Sequence, residues 1–333
     1  MVSVVMPNYN NELFLEEAIN SILTQTFTDY EFLIIDDGST DNSIEIIKSY
    51  ADKRIRLICK KENSGIVDAL NIGLDAAVGK YVIRMDGDDI SVSKRFQILV
   101  DYMEVNPNIC VCSSDMLSFG DEYRECIWRY GISIRRNQAE MIFSSSIGHA
   151  SSIFRMEVFD KHQLRYEKGY PHIEDYRLFT RLNKIGEMYN LNVPLYNVRM
   201  NENSSTAINR STHADRLFII YRELLEEIGI HCTQKNSENK LKLHFELGKK
   251  EKPTFSYKDY FQWGKYLIAK NEEFKIYFEP EFSKVVHERL ELIKYKIIEE
   301  RPFQFFSVVR LEKTFDKFLF RYFIGVTRKK FRK

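Results

Sequence analysis

The chain has 333 residues, of which 44% are hydrophobic and 29% charged, with a formal net charge of +1. Those proportions exclude wholesale disorder and a low-complexity array, and the near-zero charge argues against nucleic-acid binding by bulk charge. The length suits two domains, or one large domain with an extension, and no apolar run reaches the length of a membrane-spanning helix.

The apolar run at 2–6, closed by Pro7 and Asn8, predicts a first strand. No basic segment precedes it and no small-residue cleavage site follows, so it does not read as a signal peptide. Leu15, Ala18, Ile19, Ile22 and Leu23 recur at i, i+3, i+4, i+7 and i+8, one face of a helix. A second strand at 32–35 runs into Asp36-Asp37-Gly38-Ser39-Thr40-Asp41. That stretch ends in three good caps for a helix over 41–51. A short strand at 56–58 and a helix carrying Ala69, Leu70, Gly73, Leu74 and Ala77 come next. A fourth strand, 81–85, enters Asp86-Gly87-Asp88-Asp89. Phe96, Leu99 and Met103 mark a helix that stops before Pro107. Between 108 and 205 the pattern is mixed, with strands at 109–112, 152–154 and 195–198 and a helix at 176–185. Beyond 205 it turns helical, with a stripe of Leu217, Ile220, Tyr221, Leu224 and Ile228 and helices at 260–269 and 282–298. Pro280 stands at the start of the last of these.

Strand–helix alternation with continuously apolar strands predicts an α/β fold: a buried, mostly parallel sheet covered on both faces, with a helical C-terminal extension. The expected domains are 1–205 and 206–333. In such sheets ligands bind outside the carboxyl ends of the strands. The clusters at 36–37 and 86–89 both fall at such ends.

The five cysteines are few and contain no Cys-x-x-Cys pair, so reduced, buried thiols are expected. Charge is uneven along the chain. Residues 301–333 hold ten Lys/Arg against two acids, a net of +8, which leaves −7 for the other 300.

Three carboxylates within Asp86-Gly87-Asp88-Asp89 repel one another unless a cation neutralises them. All-oxygen ligands favour Mg²⁺ or Mn²⁺ over zinc. The plain reading is a capped turn, since Asp and Gly are ordinary turn residues. Of Asp36 and Asp37, one suits a cap and the other suits hydrogen bonds from a nucleobase or ribose. The first loop, Pro7-Asn8-Tyr9-Asn10-Asn11, lacks the glycines that seat a pyrophosphate on a helix N-terminus, so a metal at 86–89 is the means left for neutralising one. Tyr9 either stacks on a base or simply packs.

Taken in order, these motifs resemble the inverting, GT-A-fold glycosyltransferases of family 2, the type found in bacterial polysaccharide assembly. The resemblance covers about residues 1–205. It rests on Val4-Val5-Met6-Pro7-Asn8-Tyr9-Asn10, Ile35-Asp36-Asp37-Gly38-Ser39, Asn63-Ser64-Gly65 with Ala69, Asn71 and Gly73, and Met85-Asp86-Gly87-Asp88-Asp89. Phe154-Arg155, Ile173-Glu174-Asp175-Tyr176 and Tyr196-Asn197-Val198-Arg199 with Asn203-Ser204-Ser205 complete it.

The resemblance implies transfer of a single sugar from a nucleotide-diphosphate sugar, with uridine diphosphate the default. The acceptor would be a hydroxyl of a saccharide or lipid-linked saccharide in capsule, O-antigen or exopolysaccharide synthesis. It assigns the catalytic base to Asp175. Pro7, Tyr9, Asp37, Gly65, Asp68 and Asp86 fall on the nucleotide side, and Mn²⁺ or Mg²⁺ on Asp88 with Asp86. Glu174 and His149 fall on the acceptor side, although each also reads as a structural residue. The Gln-x-x-Arg-Trp motif of processive relatives is absent, and Asn201 stands where a His is frequent. A nucleotidyltransferase would need a Gly-rich, basic first loop, and a catalytically silent scaffold would not need Asp86, Asp88 and Asp175 together.

The tail, 303–333, interleaves Phe303, Phe305, Phe306, Phe315, Phe318, Phe320, Tyr322 and Phe323 with clustered Lys and Arg. That composition suits an interfacial helix on an anionic membrane, hence a cytoplasmic protein peripheral to the inner face. The alternative is a helix packed on residues 206–300 with a solvated basic end.

Overall fold

The computed structural model describes residues 1–120, 124–131, 133–170, 172–200, 213–232, 237–249, 252–312 and 317–330, with the backbone alone at 213, 214, 317, 318 and 328–330. The expected boundary near 205, Asn201 and the Asn203-Ser204-Ser205 segment lie outside these residues, as do Phe315 and the last three residues. The chain divides into two compact units, Met1–Asn137 with Ser145–His213, and Gln138–Ser144 with Ala214–Lys333.

The first unit is a mixed sheet with helices. In chain order it runs β1 (Val2–Asn8), α1 (Leu15–Leu23), β2 (Tyr30–Asp36), α2 (Ser43–Ser49), β3 (Ile55–Cys59), α3 (Ile66–Ala76), β4 (Tyr81–Arg84), β5 (Ile90–Ser91) and α4 (Arg95–Val105). Then come β6 (Ile109–Phe119), β7 (Cys126–Trp128), α5 (Ile134–Glu140, whose last three residues belong to the second unit), β8 (Ile153–Arg155), α6 (Met156–Lys161), α7 (Glu174–Leu182) and β9 (Glu187–Arg199). The strands lie in the order β3-β2-β1-β4-β8-β6-β9-β5, with β7 paired to β6.

β1 to β4 are parallel, as strand–helix alternation requires. Past β4 the sheet is mixed: β8 runs antiparallel to β4 and β6, whereas β6 and β9 are parallel. β6 and β9 are longer than their apolar runs. Ser113, Ser114, Asp115 and Asn190 are buried in them. They pair across the strands, Ser113 Oγ donating to Asn190 Oδ1 at 2.6 Å and Asn190 Nδ2 to Asp115 Oδ1 at 2.8 Å. A polar pair satisfied inside a sheet has no hydrophobic signature.

Register brings the chemistry to one edge. Asn8 lies opposite Asp36, and Met85 N bonds Val5 O at 3.1 Å, so the loops after β1, β2 and β4 leave together. Gly38 turns the chain there with φ +76°, and an added Cβ would meet Asn63 N at 2.8 Å. Only glycine meets both conditions cheaply.

The second unit is helical: α8 (His213–Glu227), α9 (Ser237–Lys249), α10 (Tyr257–Phe274), α11 (Glu281–Glu300), α12 (Phe305–Glu312) and α13 (Lys317–Lys330). Ser256 and Asp259 form a capping box at the start of α10, and Pro280 stands immediately before α11. The 138–144 segment belongs to this unit because its carbonyls are held there. Tyr221 Oη donates to Phe143 O and His244 Nε2 meets Ile142 O, both at 2.7 Å. The tail is divided between burial and exposure: Phe305 is buried and stacks on Phe323, while Phe303 and Phe306 are 80% and 65% exposed. Lys294 reaches Glu312 at 3.2 Å and fastens the end of α12. Among the described residues no helix is long and apolar enough to cross a membrane. Cys110, Cys112 and Cys232 are buried, but Cys59 and Cys126 are exposed, against the expectation of five buried thiols.

Candidate active site

The two acids at the end of β2 do different work. Asp36 is fully buried and accepts from Asn8 Nδ2 at 2.8 Å, Ser39 N at 2.9 Å and Ser39 Oγ at 2.6 Å, so it builds the turn. Asp37 accepts from Ser64 N at 3.0 Å and Gly65 N at 2.9 Å and pairs with Lys60. It thereby holds the loop that opens α3, where Gly65 is the N-cap at φ +94°. Asp68, in the first turn of α3, accepts from Ser64 Oγ at 2.6 Å and pairs with Lys168 at 2.7 Å. Pro7 is half-buried in β1, and Tyr9 beyond it is 44% exposed. This collects Pro7, Tyr9, Asp37, Gly65 and Asp68 around one edge of the sheet, with the Asp37 carboxylate already turned to the 60–65 loop.

The 86–89 turn sits against the first loop. A Cβ on Gly87 would meet Asn11 Nδ2 at 2.7 Å and Asn8 Oδ1 at 3.1 Å, so the glycine makes room for those two side chains. Asp89 is buried and tied to β9, accepting from Arg199 N at 2.7 Å, while Arg199 Nε donates to Asp88 O at 2.9 Å. Arg199 is itself held over Phe14 and Phe119, each ring 4.6 Å away. Tyr196 Oη accepts from Asp86 N at 3.0 Å.

Burial, then the charge of Asp86, pushes the Asp88 carboxyl up to about 6. Burial and the charges of Asp86 and Asp88 lift Asp89 well above the usual carboxylate range, although hydrogen bonds from Arg199 and Tyr196 oppose them. Such accumulated repulsion is what a cation relieves. Among the described residues no three His, Cys, Asp or Glu side chains form a metal cage. Mg²⁺ sites of the phosphate-binding kind need only one or two carboxylates plus substrate oxygens. The oxygen donors of Asp86 and Asp88, repelling each other at a strand end, fit such an ion.

Arg84 was not expected from the sequence. It ends β4, is 4% exposed and ion-pairs with Asp86. Burial opposes its charge, but Asp86 and Tyr196 raise its pKa above the ordinary arginine value. Its Nε is buried with no hydrogen-bond partner among the described residues. The Arg84 charge acts on Asp88, His149, Tyr166 and Glu174 as well. Arg95, fully buried below it, donates to Arg84 O at 2.6 Å and Ala150 O at 3.0 Å. Burial lowers the Arg95 pKa to about 10. Nothing in the apolar pattern marks an arginine for the core; the one available signal was that Arg84 immediately precedes Met85-Asp86-Gly87-Asp88.

On the far side, His149 Nε2 is 2.7 Å from Tyr166 Oη. Burial, and then Arg84, holds the imidazole well below its ordinary pKa, so it is neutral. Glu174 opens α7 and is buried, with Oε2 lacking a hydrogen-bond partner among the described residues, whereas Asp175 is half-buried. Burial and the Asp175 charge push Glu174 up to about 7. Folding therefore favours protonated Glu174. Between about pH 4.5 and 7 the native state keeps a proton that the unfolded state releases, and stability falls as pH rises through that window. Glu174→Gln is expected to remove that fall, about 3 kcal/mol at most at 1.36 kcal/mol per pH unit. Melting temperatures measured from pH 5 to 8 check this, and identical profiles for variant and wild type would disprove it. A surface hollow of about 500 Å³ lined by Val78, Lys80, Arg155 and Lys161 lies at the amino end of β4, away from all these groups.

A parallel β1–β4 core with acidic turns at its carboxyl edge places the candidate site where open α/β sheets bind their ligands. The sequence matches the family described as glycosyl transferase family 2 over residues 3–163. An uncharacterised glycosyltransferase of Haemophilus influenzae is 31% identical over 285 residues, 81% of this chain and 88% of that protein. The chain belongs to glycosyltransferase family 2 and is a glycosyltransferase. The Escherichia coli protein named UDP-Glc:alpha-D-GlcNAc-diphosphoundecaprenol beta-1,3-glucosyltransferase WfgD is 33% identical over 106 residues, 32% of this chain and 42% of that one. The crystal structure of Staphylococcus aureus TarS 1-349 in complex with UDP aligns with a TM-score of 0.57 at 18% identity, covering 91% of each chain. At that identity it establishes the shared GT-A fold.

Proposed function

We propose that this chain transfers one sugar from a nucleotide-diphosphate sugar, with UDP the nucleotide, to a hydroxyl of a saccharide or lipid-linked saccharide, with inversion at the anomeric carbon. The observation that carries the reading is the position of Tyr166. Tyr166 Oη is 2.7 Å from His149 Nε2, and its backbone is held by Asn71 of α3, the helix that opens at the Asp37-held loop beside the acidic 86–89 turn. The UDP and UDP-GlcNAc complexes of TarS and the name of WfgD support the choice of donor and of a lipid-linked acceptor.

In this reading Asp37 and the 64–65 backbone, with Pro7 and Tyr9, receive the base. Asp86, steadied by Arg84, receives the ribose, and Asp68 borders the nucleotide. Asp88 with Asp86 would hold Mn²⁺ or Mg²⁺, whose charge would offset that of a departing diphosphate. The acceptor oxygen bonds to the anomeric carbon on the face opposite the diphosphate as the bond to the diphosphate oxygen breaks. The hydroxyl proton passes to Asp175. One displacement inverts the centre, and no glycosyl-enzyme forms. Glu174 and His149 line the acceptor side.

Thermal unfolding tests the donor class. UDP with Mn²⁺ is expected to raise the melting temperature by mass action, about 2.7 kcal/mol at a hundredfold excess over Kd. Asp37→Ala should abolish the rise. If UDP, GDP and dTDP all left the wild-type melt unmoved, the nucleotide reading would fail.

The exposed Phe303, Phe306 and Phe320 beside the basic tail support peripheral attachment to an anionic membrane. Removing residues 303–333 is expected to release the protein from anionic liposomes on sedimentation. Full retention by the truncated chain would exclude the tail as the anchor.

A further inference from the structure

Asn71 is a motif residue that the proposed reaction leaves without a task. It lies on α3, and its side-chain amide satisfies both backbone groups of one distant residue. Tyr166 N donates to Asn71 Oδ1 and Asn71 Nδ2 donates to Tyr166 O, each at 2.9 Å. Two ion pairs flank this rung, Lys168–Asp68 and Arg165–Asp75, both at 2.7 Å. Positions 68, 71 and 75 form one helical stripe, so residues 165–168 lie along a single face of α3. The ion pairs are exposed at Lys168 and Asp75 and contribute little. The Asn71 rung holds the segment, because Tyr166 is 4% exposed and its peptide groups would otherwise be buried unpaired.

The same segment grips the helix that carries Asp175. Glu167 accepts from Arg177 Nε at 2.8 Å and from Arg181 Nη1 at 2.5 Å. Arg177 and Arg181 are one turn apart on α7. Residues 165–168 thus form a strap with α3 on one side and α7 on the other. α3 begins at the loop that Asp37 holds, and α7 begins at Glu174-Asp175. Tyr166 Oη, 2.7 Å from His149 Nε2, also fastens the strap to the segment that precedes β8.

We propose that this strap couples nucleotide binding to the placement of Asp175, with Asn71 the positioning residue on the donor side and Glu167 its counterpart on the base side. The inference rests on the reading of the Asp37–Asp68 loop as the nucleotide site and of Asp175 as the base. Occupancy of the loop steadies the first turn of α3, the strap transmits that order, and the carboxylate of Asp175 is held where an acceptor hydroxyl arrives. A misplacement of about 1 Å at that point costs as much as 10²-fold in rate.

Hydrogen exchange on the full chain, with UDP and Mn²⁺ as the probe, tests this without an identified acceptor. In the wild type UDP should slow exchange about tenfold in peptides covering 60–70 and also in those covering 172–182. In Asn71→Ala the first protection should remain and the second should disappear, with UDP affinity within about twofold of wild type. Glu167→Gln, which keeps its shape, should give the same signature from the other rung and keeps the test alive if Asn71→Ala does not fold. The double variant should lose no more than either single one, since both cut one link. Wild-type protection confined to 60–70 would overturn the coupling and leave the nucleotide reading standing. Protection at 172–182 surviving in both variants would overturn it too, as would loss of UDP affinity in step with loss of protection. If no nucleoside diphosphate bound the wild type, the nucleotide reading itself would fall and the coupling with it.

Discussion

Asp175→Asn is expected to lower kcat by about 10²–10⁴-fold while leaving nucleotide binding close to wild type. The amide keeps the shape of the side chain and can still accept a hydrogen bond from Tyr176 N, which is 2.7 Å from Asp175 Oδ1. It cannot take a proton. Binding should be spared because no group that touches Asp37 or the 64–65 loop is altered. Glu174 cannot substitute: it is buried and favoured in its protonated form, while Asp175 is half-buried. Single-turnover kinetics with a competent donor, alongside calorimetric titration of UDP, measure the two effects separately. Wild-type kcat in the variant would exclude Asp175 as the base.

Asp88→Asn should be comparably damaging for a different reason. A divalent ion that offsets the leaving diphosphate contributes several kcal/mol of transition-state stabilisation, which corresponds to a loss of about 10³-fold or more when it cannot be held. The substitution also removes one of three repelling carboxylates, so the folded apo-protein should be as stable as the wild type or more so. Lower activity with an unchanged or higher melting temperature is therefore the expected pair of results. EDTA should reproduce the loss of activity in the wild type. Undiminished turnover with all divalent ions removed would refute the metal role. The buried neighbour Asp89 should behave otherwise: it is fastened to Arg199 N, and its replacement should cost stability.

Much of this arrangement is legible in the sequence. The apolar runs that became β1, β2 and β4 and the acidic turns that follow them are local features, set by side-chain period and by the chemistry of turns. The helical stripes at 217–228 and 282–298 were legible for the same reason. α5 and α6 were missed because they are short and carry little periodic signal. The polar lengths of β6 and β9 were missed because Ser113, Asp115 and Asn190 satisfy one another across the strands.

By itself the sequence determined that acidic turns stand at the ends of β2 and β4, because period, caps and turn residues act over a few positions. Only the tertiary structure decided how they are wired. Asp36 became the turn builder and Asp37 the holder of the 64–65 loop through bonds spanning some 28 positions. Asp86 meets Tyr196 from 110 positions away, and Asn71 meets Tyr166 from 95. Burial and charge proximity set the state of Arg84, Asp88, His149 and Glu174. Both depend on which distant segments are packed alongside, and no local pattern records that.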